Sequence, residues 1–540
     1  MKRTVLFLLI LVISGLSAQA QTRKYLILLK DKANTPYSIS HPEQFLSQRA
    51  IQRRSKQGIS VQEKDLPVNP AYVSALRQTG AKIWFSSRWA NAVLVETTEA
   101  NLATIRALAF VQGVERNRSI GNARVGYMQE TANPKKNKLE QADPSVYGIS
   151  SEQLIQIGVD KMHAQGYHGE GMLVAILDAG FRNANQVPFL SSLFRQNRIV
   201  GTYDFVRKET SVYEDDKHGM EVLSIMAGYQ ANQLVGPAYQ ASYLLLRTED
   251  AATETPVEEA NWLLGAEYAD STGADVINSS LGYTTFDDPT QSYTYNDLNG
   301  QTTLVSRAAR WAAETGILVV NSAGNDGNNG WRYIGAPADV PTVLAIGSVD
   351  RNGVKSPFSS FGPTADGRVK PDLVALGSGT VLGSPGGTVA TGSGTSYSAP
   401  LVAALATGFW QANPRLTAQQ VIACLRQSGS QFTQPNSELG YGIPNFERAS
   451  AIAANDYSLL IYPNPFTNAD RLTVQWNEIP LNQTIDAMVT NSAGQVVWQQ
   501  KYSSDRIANF SLQSLSLSPG LYFLTLSSES TKRTVKLMKY

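Results

Sequence analysis

Apolar positions follow different rhythms along the chain, and each rhythm predicts a different kind of element. Tyr25 to Leu29 is a short apolar run that reads as a strand, and Glu43 to Lys56 has helical spacing. Ala81 to Thr97 holds two β-rich runs around Ser86 to Trp89, Glu99 to Leu108 is helical, and Phe110 to Glu115 is again a strand. Together they predict a small α+β unit of β-α-β-β-α-β type. Arg124 to Val146 then loses all apolar period and is rich in Lys, Asn, Gln and Pro, as expected of a linker.

From about Gln153 to Asn455 continuous apolar runs alternate with helical segments. The runs are Met172 to Leu177, Ser242 to Leu246, Asp275 to Ile277, Ile317 to Val320 and Val343 to Val349; the helices are Val257 to Ser271, Thr303 to Thr315 and Ser396 to Gln411. Strands that are apolar throughout must be buried on both sides, so this pattern predicts an α/β unit, a parallel sheet with helices on both faces. Beyond Asn455 the helical spacing stops. Leu472 to Trp476, Ala487 to Thr490, Val496 to Gln499, Leu521 to Leu526 and Thr534 to Met538 predict a closing all-β, sandwich-like domain over 456–540.

Length and composition bound what these units do. A chain of 540 residues exceeds a single core, and 42% hydrophobic with 17% charged residues is globular composition. A net charge of +1 gives no reason to expect nucleic acid as a partner. Lys2 and Arg3, the apolar run Val5 to Ile13 and Ala18-Gln19-Ala20 have the layout of a secretory leader over 1–20. Cys424 is the single cysteine, so no internal disulfide forms, and no Cys/His zinc motif is present.

Sites in parallel sheets form at the carboxyl ends of strands, and four polar residues fall at such places. Asp178 ends the run in "LVAILDAG", where an unpartnered carboxylate would be costly. His218 opens the helical "HGMEVLSIMAG", Asn325 closes "VVNSAGN", and Ser396, within "GTSYSAP", starts a helix. Each alone has an ordinary structural reading: a turn cap, a helix-start histidine, a turn asparagine, an N-cap serine. Of the four histidines, His41 lies in the N-terminal unit, His163 and His168 lie in the entry to the first sheet strand, and His218 alone keeps company with the other three polar residues. A nucleophile, a base, a group that orients the base and a donor for an oxyanion are what serine-dependent hydrolysis requires.

"AILDAG", "KHGMEVLSIMAG", "NSAGN" and "SGTSYSAP" resemble the signatures of the subtilisin-like serine proteases, in that family's Asp, His, Ser order, over roughly Tyr147 to Asn455. The resemblance implies that Asp178 orients the imidazole, His218 is general base and acid, Ser396 is the nucleophile, and the Asn325 side chain joins the Ser396 backbone N–H in the oxyanion hole. "NSSLG" resembles the segment on which the family lays an extended substrate, through Ser280, Leu281 and Gly282. Ala179, Met220 and Tyr397-Ser398 depart from the residues usual beside the reacting groups. The N-terminal α+β unit with its linker, 21–146, resembles the family's inhibitory propeptide, so its own propeptide is an expected partner beside polypeptide substrates. The closing domain, with "YPNPF", "SPGLYFLTL" and "TVKLMKY", resembles type IX secretion sorting domains, which implies outer-membrane secretion machinery and a secreted or surface location beyond a gram-negative envelope.

Other readings make different demands. An α/β-hydrolase esterase needs a histidine after the serine, and none follows His218; sedolisin-type peptidases place Asp where Asn325 stands. A surface adhesion protein using the fold as a scaffold would not need the reacting residues. No cofactor is expected. Asp287, Asp288 and Asp297, in the polar insertion after Gly282, are oxygen donors of the kind calcium takes, but an ordinary solvated loop is the better reading of the segment and no metal ligand is assigned.

Overall fold

The computed structural model describes residues 21–122, 146–456, 459–467, 472–476, 484–503, 509–512, 517–528 and 532–540. The expected leader over 1–20, and the expected linker apart from Val146, lie outside the described residues.

The N-terminal unit is an antiparallel sheet in the order Lys82–Ser87, Ala92–Thr98, Thr22–Leu29, Val111–Val114, with Gly121–Asn122 also paired to Thr22–Leu29. Tyr25, Ile27, Val93 and Val95 point from one sheet face onto Leu76, Leu102 and Ile105 of the helices. The helix expected from Glu43 starts at Gln48 instead, because Ser47 caps it by accepting the Ala50 N–H, while Pro42–Gln44 is a separate 3-10 turn. A further helix, Pro70–Gln78, was not legible from apolar spacing; its signals are the Asn69 cap and a proline at its first position.

The other sheet face docks on the helix Val257–Thr272, with Leu26, Trp89, Ala92 and Leu94 joining the apolar cluster of Trp262, Leu263 and Ala266. Asp270 of that helix is fully buried and receives the guanidinium groups of Arg53, Arg54 and Arg88. One turn away, Glu267 accepts the Ser87 hydroxyl at 2.6 Å and the Arg88 and Trp89 backbone N–H groups at 3.1 and 3.0 Å. Burial works against the Asp270 charge, and the three arginines overcome it, holding the carboxyl below the ordinary 3.8.

The central unit is a seven-stranded parallel sheet in the order Leu373–Leu376, Leu344–Val349, Leu318–Ser322, Val276–Ser279, Leu173–Asp178, Ser242–Arg247, Ile199–Asp204. Five of these strands match the expected runs. Ile199–Asp204 was missed because an edge strand is only partly buried, and the four-residue Leu373–Leu376 was not among the expected runs either. One face carries the helices His218–Ala227 and Thr395–Ala412, the other Val257–Thr272 and Leu304–Glu314. After Leu173–Asp178 the chain runs outward to Ile199–Asp204, returns through Ser242–Arg247 and crosses to Val276–Ser279 on the far side. The strand ending at Asp178 therefore borders the point where the winding reverses, which is where a crevice opens.

After the helix Phe446–Asp456 the chain forms two antiparallel sheets, one of Leu459–Tyr462, Leu472–Trp476 and Asn509–Leu512, the other of Val496–Ser503, Thr484–Asn491, Gly520–Ser527 and Lys532–Lys539. They share a core of Val474, Trp476, Val489 and Leu524, as the sandwich pattern predicts. Among the described residues no helix is long and apolar enough to cross a membrane.

A depressed carboxyl pKa contributes stability above the ordinary value and loses it as pH falls through the lowered one, so the Asp270 contact holds everywhere above about pH 4. Asp270→Asn leaves three buried arginines without their charge partner. In the full chain it is expected to speed hydrogen exchange across Thr22–Leu29 and Ala92–Thr98 by at least about 100-fold, the scale of breaking a buried ion pair. Unchanged exchange would mean that the backbone carbonyls of Glu267 and Ala274, which Arg88 and Arg53 also reach, suffice.

Candidate active site

Asp178 is fully buried at the end of its strand, and its Oδ1 accepts both the Ala179 backbone N–H and Nδ1–H of His218, each at 2.8 Å. His218 is the first residue of its helix, set there by the Asp216 Oδ1 that accepts its backbone N–H at 2.8 Å. The strand end and the helix approach closely because residue 219 is glycine: a Cβ there would lie 2.5 Å from the Gly180 oxygen and 2.8 Å from the Asp178 Cβ. Burial lowers the imidazole pKa, but the Asp178 carboxylate, with Glu221 and Asp216 behind it, raises it further, to about 9 from the ordinary 6.5. The other histidines lie elsewhere: His41 is exposed beside Glu43, and His163 hydrogen-bonds the Pro237 carbonyl with its ring against His168.

Ser396 stands in the first turn of Thr395–Ala412, a helix that begins one residue before the expected start. Pro400 has no N–H to give the Ser396 carbonyl four residues back, and the Ser280 hydroxyl donates to that carbonyl instead, at 2.9 Å. The Ser396 hydroxyl in turn donates to the Ser280 carbonyl at 3.3 Å, and among the described residues no hydrogen bond joins it to His218. Asn325, exposed three residues past its strand, accepts on Oδ1 from the Thr395 N–H at 2.9 Å and from the Thr395 hydroxyl at 3.0 Å. With the oxygen so engaged, the Nδ2 donors face outward, 3.7 Å from where a Cβ on Gly394 would stand. Thr395 is a residue the motif reading passed over, although its place beside Ser396 was the available signal.

Ser280, Leu281 and Gly282 follow the strand Val276–Ser279 and run from buried to exposed. The Leu281 carbonyl is held by Asn321 Nδ2 at 2.9 Å, and Gly282 lies against Gly335, where a Cβ would stand 3.4 Å from the Gly282 Cα. Beside them lies a cavity of about 360 Å³ lined by Glu249, Asp250, Glu254, Glu258 and Asp287 together with Ala179, Leu281 and Gly282. Burial, then mutual repulsion, pushes the carboxyls of Glu249 and Glu258 up, and lifts that of Glu254 to about 7.

The polar insertion is not an ordinary solvated loop. Tyr283, Phe286, Tyr293 and Leu298 are buried, and the Gln291 and Thr290 carbonyls receive Arg116 and Arg118 of the N-terminal unit at 2.7 Å each. Asp287 accepts the Glu254 N–H, while Asp288 and Asp297 cap short 3-10 turns. Each aspartate is thus engaged locally, and no group of metal-ligating side chains gathers among the described residues.

A parallel sheet of this order, bearing an Asp–His pair and a helix-borne serine at its carboxyl edge, is subtilisin-like in architecture. The comparisons with known proteins agree. The family model for the subtilase family of S8 peptidases matches residues 169–442, the S8 propeptide domain of Bacteroidota matches 24–136, and the secretion system C-terminal sorting domain matches 460–540. Subtilisin NAT of Bacillus subtilis subsp. natto is 30% identical over 315 residues, 58% of this chain and 72% of that protein. Subtilisin of Bacillus pumilus is 30% identical over 307 residues, 56% of this chain and 98% of that protein. The solved structure of the prenylagaramide maturation protease PagA matches with a TM-score of 0.43 at 22% identity, covering 54% of this chain and 96% of that one. The chain belongs to the subtilase family and is a serine endopeptidase with a propeptide and a type IX sorting tail, which sets aside the scaffold-only reading. Its tail implies a secreted or cell-surface destination.

A raised carboxyl pKa means that the fold binds the proton more tightly than the unfolded chain does, so stability falls as pH rises from the ordinary 4.5 through the raised value. Glu249 Oε1 accepts from the Tyr283 and Thr248 hydroxyls, and an amide oxygen preserves both bonds. Glu249→Gln is therefore expected to unfold at the wild-type temperature at pH 4 and a few degrees higher at pH 9, roughly the shift that 1 kcal/mol produces. A thermal scan showing no gain at pH 9 would mean that the charge is already relieved.

Proposed function

We propose that Asp178, His218 and Ser396 form the catalytic triad of this peptidase, with Asn325 Nδ2 and the Ser396 backbone N–H as its oxyanion hole. Ser396 Oγ attacks the scissile carbonyl carbon while His218 Nε2 takes its proton, and Asp178 holds the Nδ1–H and stabilises the imidazolium. The oxyanion forms at the start of a long helix, whose backbone dipole favours negative charge there. His218 then returns the proton to the departing amine, which leaves an ester on Ser396 that water cleaves by the same route in reverse.

The substrate lies extended along Ser280, Leu281 and Gly282, and its N–H displaces the Ser396 hydroxyl from the Ser280 carbonyl, turning that hydroxyl toward His218. The N-terminal unit restrains the enzyme until the chain is cut between it and Tyr147. The leader carries the protein across the inner membrane, and the closing β-domain directs it across a gram-negative outer membrane.

The observation that carries this reading is the 2.8 Å bond between Asp178 Oδ1 and His218 Nδ1, at the end of the strand Leu173–Asp178 and on the sheet face that also carries the helix beginning with Thr395 and Ser396. Ser396→Ala and His218→Ala should abolish peptide hydrolysis, and Ser396→Ala should also abolish labelling by a fluorophosphonate. Asn325→Ala should label slowly and lose about 10²- to 10³-fold in kcat, the size of one lost oxyanion donor. Since the base must be neutral, kcat/KM should rise with pH through an inflection above the ordinary imidazole value of 6.5. Full activity in either alanine variant of the pair, or an inflection below 6.5, would overturn the assignment.

A further inference from the structure

Tyr397 stands where the family resemblance leads one to expect methionine, and its side chain reaches across the site. Its hydroxyl donates to Glu221 Oε2 at 2.7 Å, and its ring lies 5.9 Å from the His218 ring at 35°. Glu221 sits one turn beyond His218 on the same helix, is 5% exposed, and holds Lys217 Nζ on its other oxygen at 2.8 Å. Room for the tyrosine comes from Gly392, where a Cβ would stand 2.6 Å from Tyr397 Cε2. One hydrogen bond thus links the residue next to the serine with the residue one turn from the histidine.

We propose that the Tyr397–Glu221 pair is a positioning brace that holds the Ser396-bearing helix at a fixed distance from His218 and sets the field in which that imidazole titrates. The inference rests on the triad assigned above. A serine and an imidazole must meet within a few tenths of an ångström, and a misplacement of about 1 Å costs on the order of 10² in rate. The apolar packing that joins the two helices, Leu223 and Met226 with Leu401 and Leu405 in one core, is not directional and leaves room for small shifts. Two side chains bonded across them do not.

The groups facing the imidazole are Asp178 from the strand, Asp216, Lys217 and Glu221 from its own segment, and Tyr397 from the neighbouring helix. Burial, followed by the Glu221 charge, raises the Tyr397 hydroxyl well above its ordinary range, so it remains a donor at every pH at which the enzyme works. The brace does not open by titration. Glu221 has two separable effects, a geometric one through Tyr397 and an electrostatic one on His218.

The test is a comparison of kcat, KM and pH profile in the purified wild type, Tyr397→Phe, Glu221→Gln and Glu221→Ala, each with its folding checked by thermal unfolding. Tyr397→Phe cuts the bond and keeps the charge. It should lower kcat by about tenfold or more with KM nearly unchanged, slow fluorophosphonate labelling equally, and leave the acid inflection at or above the wild-type position. Glu221→Gln keeps an oxygen for the tyrosine and removes the charge, so its inflection should move to lower pH with a smaller loss of kcat. Should Tyr397→Phe fail to fold, Glu221→Ala severs the brace from the other helix and should show both effects together. A kcat within twofold of wild type in the variant that cuts the bond, with an unmoved pH profile in Glu221→Gln, would overturn the proposal. If Ser396→Ala is inactive while those variants behave as wild type, the brace fails and the triad stands; an active Ser396→Ala would instead remove the triad itself.

Discussion

A carboxylate with no solvent exposure, Asp178 at the end of the strand Leu173–Asp178, is the constraint around which the catalytic unit is arranged. Such a charge is tolerated in a protein interior only where hydrogen bonds and an opposite charge meet it. Here the Ala179 N–H and the His218 ring do so, and the meeting is possible because Gly219 lets a helix approach the strand more closely than any side chain would permit. The reversal of winding beside this strand keeps its carboxyl end uncovered by a neighbouring crossover, so the imidazole has one face toward the carboxylate and one toward the crevice. Burial and function are therefore one arrangement.

Much of this was legible in the sequence because the buried strands are apolar throughout and the polar residues that interrupt them are few. Asp178 and Asn325 were visible as breaks in apolar runs, and the helix that carries Ser396 was placed to within one residue. What the sequence hid depends on contacts between distant segments. Nothing local in Glu221 announces a bond to Tyr397, 176 positions away, and nothing in Thr395 announces that it fixes the orientation of the Asn325 amide. Partly exposed strands such as Ile199–Asp204 lack the continuous pattern, and the insertion after Gly282 looked solvated because its buried tyrosines carry polar ends that find partners only in the fold.

The same insertion clarifies how the N-terminal unit is held. Its sheet contributes apolar area against Val257–Thr272, but the specific anchors are cationic: Arg53, Arg54 and Arg88 on Asp270, Arg116 and Arg118 on the insertion carbonyls, and Arg307 of the catalytic unit in return on Glu115. Buried ion pairs gain little net stability over apolar packing, yet removing one partner is costly. Such an interface therefore favours one docked arrangement. Its central carboxylate stays ionised across the physiological range, so mild acidification leaves the arginine contacts on Asp270 in place.

Hydrogen bonds tie the first turn of the Ser396 helix to the strand end at Ser280. Because Pro400 cannot serve the Ser396 carbonyl, that oxygen is available to Ser280, and the Ser280 hydroxyl receives Asn278 Nδ2 at 3.3 Å while Asn321 holds the next carbonyl, Leu281. The segment from Ser280 to Leu281 is thus bonded to the first turn of the helix that carries Ser396, by side chains that are themselves buried. A peptide that pairs with Ser280 to Gly282 has its register set relative to Ser396 by the protein rather than by its own flexibility. The entropy of bringing the scissile carbonyl to the hydroxyl has then been met in folding, which is where a catalyst of this kind gains most of its advantage over water.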